Sequence, residues 1–232
     1  MKHLAIVQHT QSEWLGAIED HLEGRGIRFS YFRPFSAGGT LPDIMTLGDG
    51  LVLLGGGPWG AASAGHLLPT LEGEVRLARA CLMMGKPVVG FGLGSQILSL
   101  AADGGAEAGP FVFGIADAVR TKPDALGGFL PARYPNVTYM RDRPRPPDYA
   151  EVLAVDAAGH PMLFQIGKNA FGFAGNPGVR PAMIEDLVME FDDAPANSGE
   201  LLPSLQAQAR AIEDALVPIM TGLVQQTGWM GA

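Results

Sequence analysis

Gly90-Phe91-Gly92-Leu93-Gly94-Ser95-Gln96 is the stretch that decides the fold, and it follows the apolar run Pro87-Val88-Val89. A Gly-x-X-x-Gly sequence directly after a buried strand is typical of a sharp strand-to-helix turn. The central side chain of such a turn stands exposed at the carboxyl end of a sheet. Here the central residue is Gly92, which carries no side chain. The sequence therefore predicts an elbow that lacks a reactive atom.

The segments around this elbow alternate between strand-like and helical patterns. Strands are predicted over 3–8, 28–32, 50–54 and 88–91, and helices over 12–25, 71–84 and 95–102. The strands at 3–8, 50–54 and 88–91 are mainly apolar, the segment 28–32 is strand-like, and the helices carry one apolar face. This pattern indicates a parallel sheet that is covered by helices on both faces.

After Gly104 the pattern changes to shorter, alternating segments. Strands are predicted over 111–120, 131–139, 152–156, 162–166 and 170–174, and helices over 181–191 and 203–226. We interpret the proline-rich run Arg143–Pro147 as a loop, and the polar stretch 192–199 as another. No repeat or boundary is evident, so we expect residues 1–232 to form a single domain.

Composition excludes several classes of partner and site. The net charge of −8 and the pI near 5.0 argue against nucleic acid and anionic membranes as partners. No apolar run reaches the roughly 18 residues of a membrane-spanning helix. The one cysteine, Cys81, favours a buried structural thiol in a reducing cytoplasm. No cluster of ligating residues has zinc spacing, and we expect neither a metal nor a cofactor.

Four segments in order resemble the class I glutamine amidotransferases, especially proteins similar to the glutaminase domain of GMP synthase. The segments are Ile6–Thr10, Leu53–Pro58, Gly90–Gln96 and Phe171–Gly178. They are similar to the family's first strand and loop, its Gly-Gly-Pro oxyanion loop, its Gly-x-Cys-x-Gly-x-Gln elbow and its Gly-x-Gln-Phe-His-Pro-Glu segment. The resemblance implies a three-layer, flavodoxin-like α/β sandwich with a mixed, mostly parallel central sheet.

The resemblance also implies where a catalytic triad would stand. Members of the family use a cysteine nucleophile, a histidine base and a glutamate that orients the histidine. The corresponding positions here are Gly92, Asn176 and Gly178. A glycine has no nucleophile, and an asparagine cannot take a proton at neutral pH. We therefore name no catalytic residue and expect no glutaminase activity.

Parts of the family's site that do not depend on the triad are present. The resemblance implies an oxyanion hole built from the Leu93 N–H group and a donor near Gly56 or Gly57. The predicted ligand-binding residues are Gly55, Gly56, Gly57, Leu93, Gln96 and His9. For most of them a purely structural role is the alternative: a tight turn for the glycines and an ordinary loop position for His9. Ser95 is a more natural first-turn helix hydroxyl than a replacement nucleophile.

Three functions fit these observations. The first is a non-catalytic protein that binds a small carboxylate or amide ligand, or a protein partner such as a synthetase-like subunit. The second is an enzyme of changed chemistry that uses the remaining oxyanion hole. The third is a glutamine hydrolase that works despite the substitutions. The nature of the ligand or partner does not follow from one sequence.

Overall fold

A computed structural model describes residues 1–230 of the chain. Its strands are β1 His3–Val7, β2 Arg28–Phe32, β3 Gly50–Leu53, β4 Val88–Phe91, β5 Gly105–Glu107, β6 Val112–Arg120, β7 Arg133–Met140, β8 Arg143–Arg145, β9 Glu151–Val155, β10 Pro161–Ile166 and β11 Ala170–Phe173. Its helices are α1 Ala17–Glu23, α2 Leu71–Met83, α3 Leu93–Ala101, α4 Pro181–Glu190 and α5 Ser198–Gln226. Within these residues, none of the helices is both long and apolar enough to cross a bilayer.

Nine strands form one mixed sheet in the order β2-β1-β3-β4-β11-β10-β9-β6-β7. The four strand pairs from β2 to β11 are parallel, and the four from β11 to β7 are antiparallel. The predicted mixed sheet is confirmed, with its two halves of equal size. The parallel half contains the buried strands that the hydrophobic pattern predicted, with the partly exposed β2 at its edge, and most of the alternating strands form the antiparallel half.

Helices cover both faces of the parallel half. Residues of α1 and α5, including Ile18 and Leu223, pack with Leu4 and Ile6 on one face. Residues of α2 and α3, including Ala78 and Ile97, pack with Val7 and Leu53 on the other. Cys81 is buried in this second layer, and burial raises the pKa of its thiol to about 11, as a structural thiol requires. The three-layer arrangement is confirmed here.

Within residues 1–230, strands β6 and β7 of the antiparallel half have helices on one face only. Helices α4 and α5 pack against Phe113, Val137 and Tyr139 on that face. The opposite face is bordered by a small sheet in which β5 pairs with β8, and this small sheet also contacts α3. The prediction of a loop over Arg143–Pro147 was therefore wrong for its first three residues. A short edge strand tolerates Pro144, since a missing N–H group costs little at an edge.

Three helix starts differ from the prediction, and α3 differs least, beginning at Leu93 rather than Ser95. Helix α1 begins at Ala17 rather than Ser12, because residues 10–13 turn into the site described below. Helix α5 begins at Ser198, within the predicted loop 192–199, and contains both Pro203 and Pro218. A helix interior normally excludes proline, so the sequence pattern placed the start of this helix at Pro203, which was too late.

Candidate functional site

The elbow is formed as predicted. Gly92 lies between β4 and α3 with φ 54° and ψ −116°, a conformation in which side chains are disfavoured. Its N–H group donates to Phe173 O at 2.9 Å. The Ser95 hydroxyl donates to Gly92 O at 2.6 Å, which confirms its interpretation as a first-turn hydroxyl. The turn is thus fixed by hydrogen bonds on both sides of Gly92.

We predict that Gly92→Ala lowers the free energy of unfolding by about 1 kcal/mol or more. A Cβ at this position would lie 3.4 Å from Gly55 Cα, an ordinary contact, so the cost comes from the positive φ and not from a clash. Chemical denaturation measures the change. Gly199→Ala is the control, because it lies in α5 without a positive φ and a Cβ there meets nothing within 4 Å. Equal effects of the two substitutions would contradict a strained elbow.

The glycine loop lies directly beside the elbow. Leu93 packs over Gly56, where a Cβ would approach Leu93 Cδ2 to 2.3 Å. Gly57 has φ 52°, and its N–H group donates to Glu13 Oε2 at 3.0 Å. Glycine at 56 therefore allows the close packing of Leu93, and glycine at 57 allows the positive φ of the loop. The donor predicted near Gly57 exists, and it is already bonded to a carboxyl group of the chain itself.

Glu13 was not predicted as a site residue. Its side chain is buried, and a Cβ on Gly55 would lie 1.7 Å from its Oε1 atom. Burial raises the pKa of the Glu13 carboxyl to about 7, although the hydrogen bond from Gly57 and the nearby His9 act in the opposite direction. The sequence pattern placed Glu13 in a helix, and a glutamate in a helix gives no sign of burial.

His9 belongs to a second buried polar group. Its Nδ1 atom lies 2.9 Å from Gly55 O, and its Nε2 atom lies 2.7 Å from Glu74 Oε2. The hydroxyl of Thr70 donates to the other oxygen of Glu74 at 2.6 Å. Burial alone would lower the pKa of His9, but the charge and hydrogen bond of Glu74 outweigh it, and the pKa is raised. The ring therefore links the glycine loop, through Nδ1, to Glu74 of α2, through Nε2, and ligand contact by His9 stays a prediction.

Gln96 is fully buried and holds two loops together. Its Oε1 atom accepts from the Ala61 N–H group at 3.1 Å, and its Nε2 atom donates to Arg141 O at 2.7 Å. The side chain therefore ties the segment after the glycine loop to the end of β7. Its predicted role in ligand binding is untested, and so are the predicted roles of Gly55, Gly56, Gly57 and Leu93.

The two remaining positions implied by the resemblance lie in a compact turn. Asn176 Oδ1 accepts from the Gly178 N–H group at 2.9 Å. Gly178 O in turn accepts from the Ala17 N–H group at 2.8 Å, at the start of α1. A Cβ on Gly178 would lie 2.5 Å from Ile18 Cγ1. Any larger residue at 178 would therefore displace the Ile18 side chain or α1 itself.

Arg141 and Asp142 close the other side of the glycine loop. Arg141 Nε donates to Pro58 O at 2.9 Å. Asp142 is buried with φ 63° and accepts from the N–H groups of Ala62, Ser63 and Gly109. Burial raises the pKa of Asp142, but the hydrogen bond from the Ser63 hydroxyl, together with those from the N–H groups, outweighs burial and the pKa is lowered. Asp142 is therefore ionised, and both of its carboxylate oxygens accept hydrogen bonds from the loops around it.

Two cavities differ sharply in size. The cavity at the elbow has a volume of about 10 Å³. It is lined by Glu13, Gly92, Val137, Tyr139, Gly175, Asn176, Val179, Met183, Ile184 and Leu187. A second cavity of about 550 Å³ lies between the antiparallel half of the large sheet and the small sheet of β5 and β8. Only the second has the volume of a typical small-molecule site.

Comparison with solved structures identifies the fold. A glutamine amidotransferase from Methylobacillus flagellatus is 20% identical with a TM-score of 0.81, and the match covers 97% of this chain and 95% of that one. One from Thermotoga maritima is 20% identical with a TM-score of 0.77, covering 97% and 98%. A Thermoplasma acidophilum protein described as a putative GMP synthase subunit is 17% identical, with a TM-score of 0.57 over 90% and 98%. No protein-family model and no curated protein matches the sequence. By its structure, the chain has the fold of the class I glutamine amidotransferases.

Proposed function

We propose that this protein has kept the glutamine amidotransferase fold but is non-catalytic, and that it acts in the cytoplasm by binding another molecule. The observation that carries the proposal is the closed elbow. Its cavity of about 10 Å³ is far below the roughly 300–1,000 Å³ of small-molecule sites. The carboxyl group of Glu13 also takes the N–H group of Gly57 that an oxyanion would need.

The chemistry of the three positions supports the same proposal. Amide hydrolysis through a thioester needs a thiolate, a base to activate it and a group to orient the base. Gly92 supplies no atom for attack, and the Asn176 amide is held in a turn by Gly178 N–H. Gly178 has no room for a side chain beside Ile18. Restoring the triad would therefore require new packing between α1 and the turn as well as new side chains.

The first test is ammonia release from glutamine by the purified protein. We expect it to stay at background, because removal of catalytic triads in other enzymes leaves only on the order of 10³–10⁴-fold acceleration over water. A coupled glutamate dehydrogenase assay measures the rate. Turnover in the ordinary enzyme range of about 1–10³ s⁻¹ would overturn the proposal. Gly92→Cys should also remain inactive, since no base is present at Asn176.

An enzyme of changed chemistry is the alternative, and the pKa of Glu13 favours it. A buried carboxyl that titrates near pH 7 is suited to general acid–base catalysis, and Glu13 lines the elbow cavity beside Gly92. Hydrolysis of a small amide or ester that disappears in Glu13→Gln would support this function. The 10 Å³ volume of the cavity is the reason for ranking it second.

A component of a synthetase-like complex is a further candidate role. It is favoured by the likeness to the Thermoplasma protein described as a GMP synthase subunit. Affinity purification from the native cell, followed by size-exclusion chromatography, tests it. A stoichiometric complex with a synthetase-like protein would support this role, and a chain that elutes alone at its own mass of 24.4 kDa would argue against it.

A further inference from the structure

The 550 Å³ cavity has a mostly apolar wall that the sheet itself provides. Val112, Gly114 and Ala116 of β6 face it, and so does Met162 of β10. From β7 the wall receives Met140 and two polar side chains, Asn136 and Thr138. Their neighbours in sequence, such as Phe113 and Tyr139, pack against α4 and α5 on the other face. Because helices cover only that other face, the apolar wall remains open to a ligand.

The rim of this cavity carries an arginine that is held in position. Asp156 Oδ2 accepts from His160 Nδ1 at 2.9 Å, so that His160 Nε2 is left to accept from Arg143 Nη1 at 2.8 Å. Asp156 itself is fixed by the N–H groups of Ala158 and His160. No carboxylate oxygen of residues 1–230 lies within 4.0 Å of the Arg143 guanidinium. An oriented guanidinium with spare N–H groups is a good ligand for a planar anion.

The charges around the rim favour a single negative charge on the ligand. Asp117 pairs with Arg133 at 2.8 Å, and Asp142 is saturated by backbone N–H groups. Glu107 lies directly opposite Arg143 in the pairing of β5 with β8, and Arg145 and Asp148 also line the cavity. Two carboxylates therefore offset the two guanidinium groups, and they would repel a dianion such as a phosphate monoester. A monocarboxylate meets the guanidinium at lower electrostatic cost.

We propose that this cavity binds a small amphipathic monocarboxylate, with its apolar body on the sheet wall and its carboxylate on Arg143. The site deepens the proposed function, since it names a ligand class for a protein whose elbow is closed. It also rests on separate residues. Glutamine turnover would overturn the proposed function and leave this site standing, whereas absence of carboxylate binding would overturn this site alone.

The test is isothermal titration calorimetry of the whole chain with 4-phenylbutyrate and with its neutral isostere 4-phenylbutyramide. We expect saturable binding of the carboxylate with a Kd below about 1 mM, and at least about tenfold weaker binding of the amide. Arg143→Gln should weaken carboxylate binding by at least about tenfold, the usual size of a lost charge-assisted hydrogen bond, and leave amide binding unchanged. Asp156→Asn should give a smaller loss, because it only releases the histidine that positions Arg143.

Gly114→Phe tests the location of the site. A Cβ at Gly114 meets nothing within 4 Å, and Gly114 lines the cavity, so the ring has space and should block both compounds. Arg76→Gln is the control, because Arg76 is an exposed arginine on α2, paired with Glu72 and absent from the cavity lining. No saturable binding of the carboxylate, or equal affinity in wild type and Arg143→Gln, would overturn the proposal. Arg143 is exposed, so that variant remains informative even if Gly114→Phe fails to fold.

Discussion

Glu74→Ala is expected to lower the free energy of unfolding by about 3 kcal/mol at neutral pH. Removal of one partner from a buried ion pair typically costs about 3–5 kcal/mol, because the other charge is left without compensation. Here the partner is His9, whose Nε2 atom lies 2.7 Å from Glu74 and whose side chain is fully buried. His9 can lose its proton, so we place the cost at the lower end of that range. Urea denaturation at pH 7 measures it.

Glu72→Ala is the matched control for this prediction. Glu72 lies on the same helix, but its side chain is 91% exposed and its contact with Arg76 is 3.7 Å long. Exposed ion pairs contribute little, so a change within about 0.5 kcal/mol is expected. A loss of less than about 1 kcal/mol in Glu74→Ala, well under the cost of a broken buried pair, would show that the pair does not hold the glycine loop in place.

The elbow and the sheet were predictable because their signals are local. The apolar run 87–89 ends directly at Gly90, and the spacing of Gly90, Gly92 and Gly94 permits only a tight turn with close packing. The structure confirms this directly: Gly92 has positive φ, and a Cβ on Gly94 would lie 2.1 Å from Leu53 O. Short-range sequence features of this kind specify backbone geometry without knowledge of distant partners.

The hydrogen bonds that fill the site were not predictable, because they join residues that are distant in sequence. His9 and Glu74 are 65 residues apart, and Gly57 and Glu13 are 44 residues apart. A buried glutamate is indistinguishable in sequence from one on a solvated helix face, and Glu74 lies among the ordinary polar residues of α2. The same reason explains β8, since only pairing with β5 converts the proline-rich run into a strand.

The small size of the elbow cavity also depends on residues that are distant in sequence. The resemblance predicts that Asn176 and Gly178 stand where the family has a histidine and a glutamate, but it gives no information on what occupies the site instead. The structure places Glu13 and the side chains of α4 against Gly92. The larger cavity arises where no helix of residues 1–230 covers one face of β6 and β7, and no local pattern in either strand indicates that absence of cover.

Glu13→Gln is expected to gain stability relative to the wild type as the pH rises. Between pH 4.5 and pH 8, the difference in unfolding free energy between the two proteins should shift by about 3 kcal/mol in favour of Glu13→Gln. The pKa of Glu13 is about 7 in the folded protein, above its ordinary value of 4.5. Between these values the folded protein keeps a proton that the unfolded chain releases, so wild-type stability falls as pH rises. The contribution is fully present below about pH 4.5 and is lost through pH 7. Glutamine stays neutral throughout and still accepts from Gly57 N–H.

The measurement is urea denaturation of both proteins at pH 4.5, 6, 7 and 8, with the difference between them plotted against pH. His9 also has a raised pKa, so its stabilising contribution is likewise lost as pH rises, but it is present in both proteins and largely cancels in the difference. Glu23→Gln is the control, because Glu23 is exposed at the end of α1 and should give a flat difference. Parallel curves for wild type and Glu13→Gln would mean that the Glu13 carboxyl is solvated. The elbow would then be open to water, and it would not be closed to glutamine.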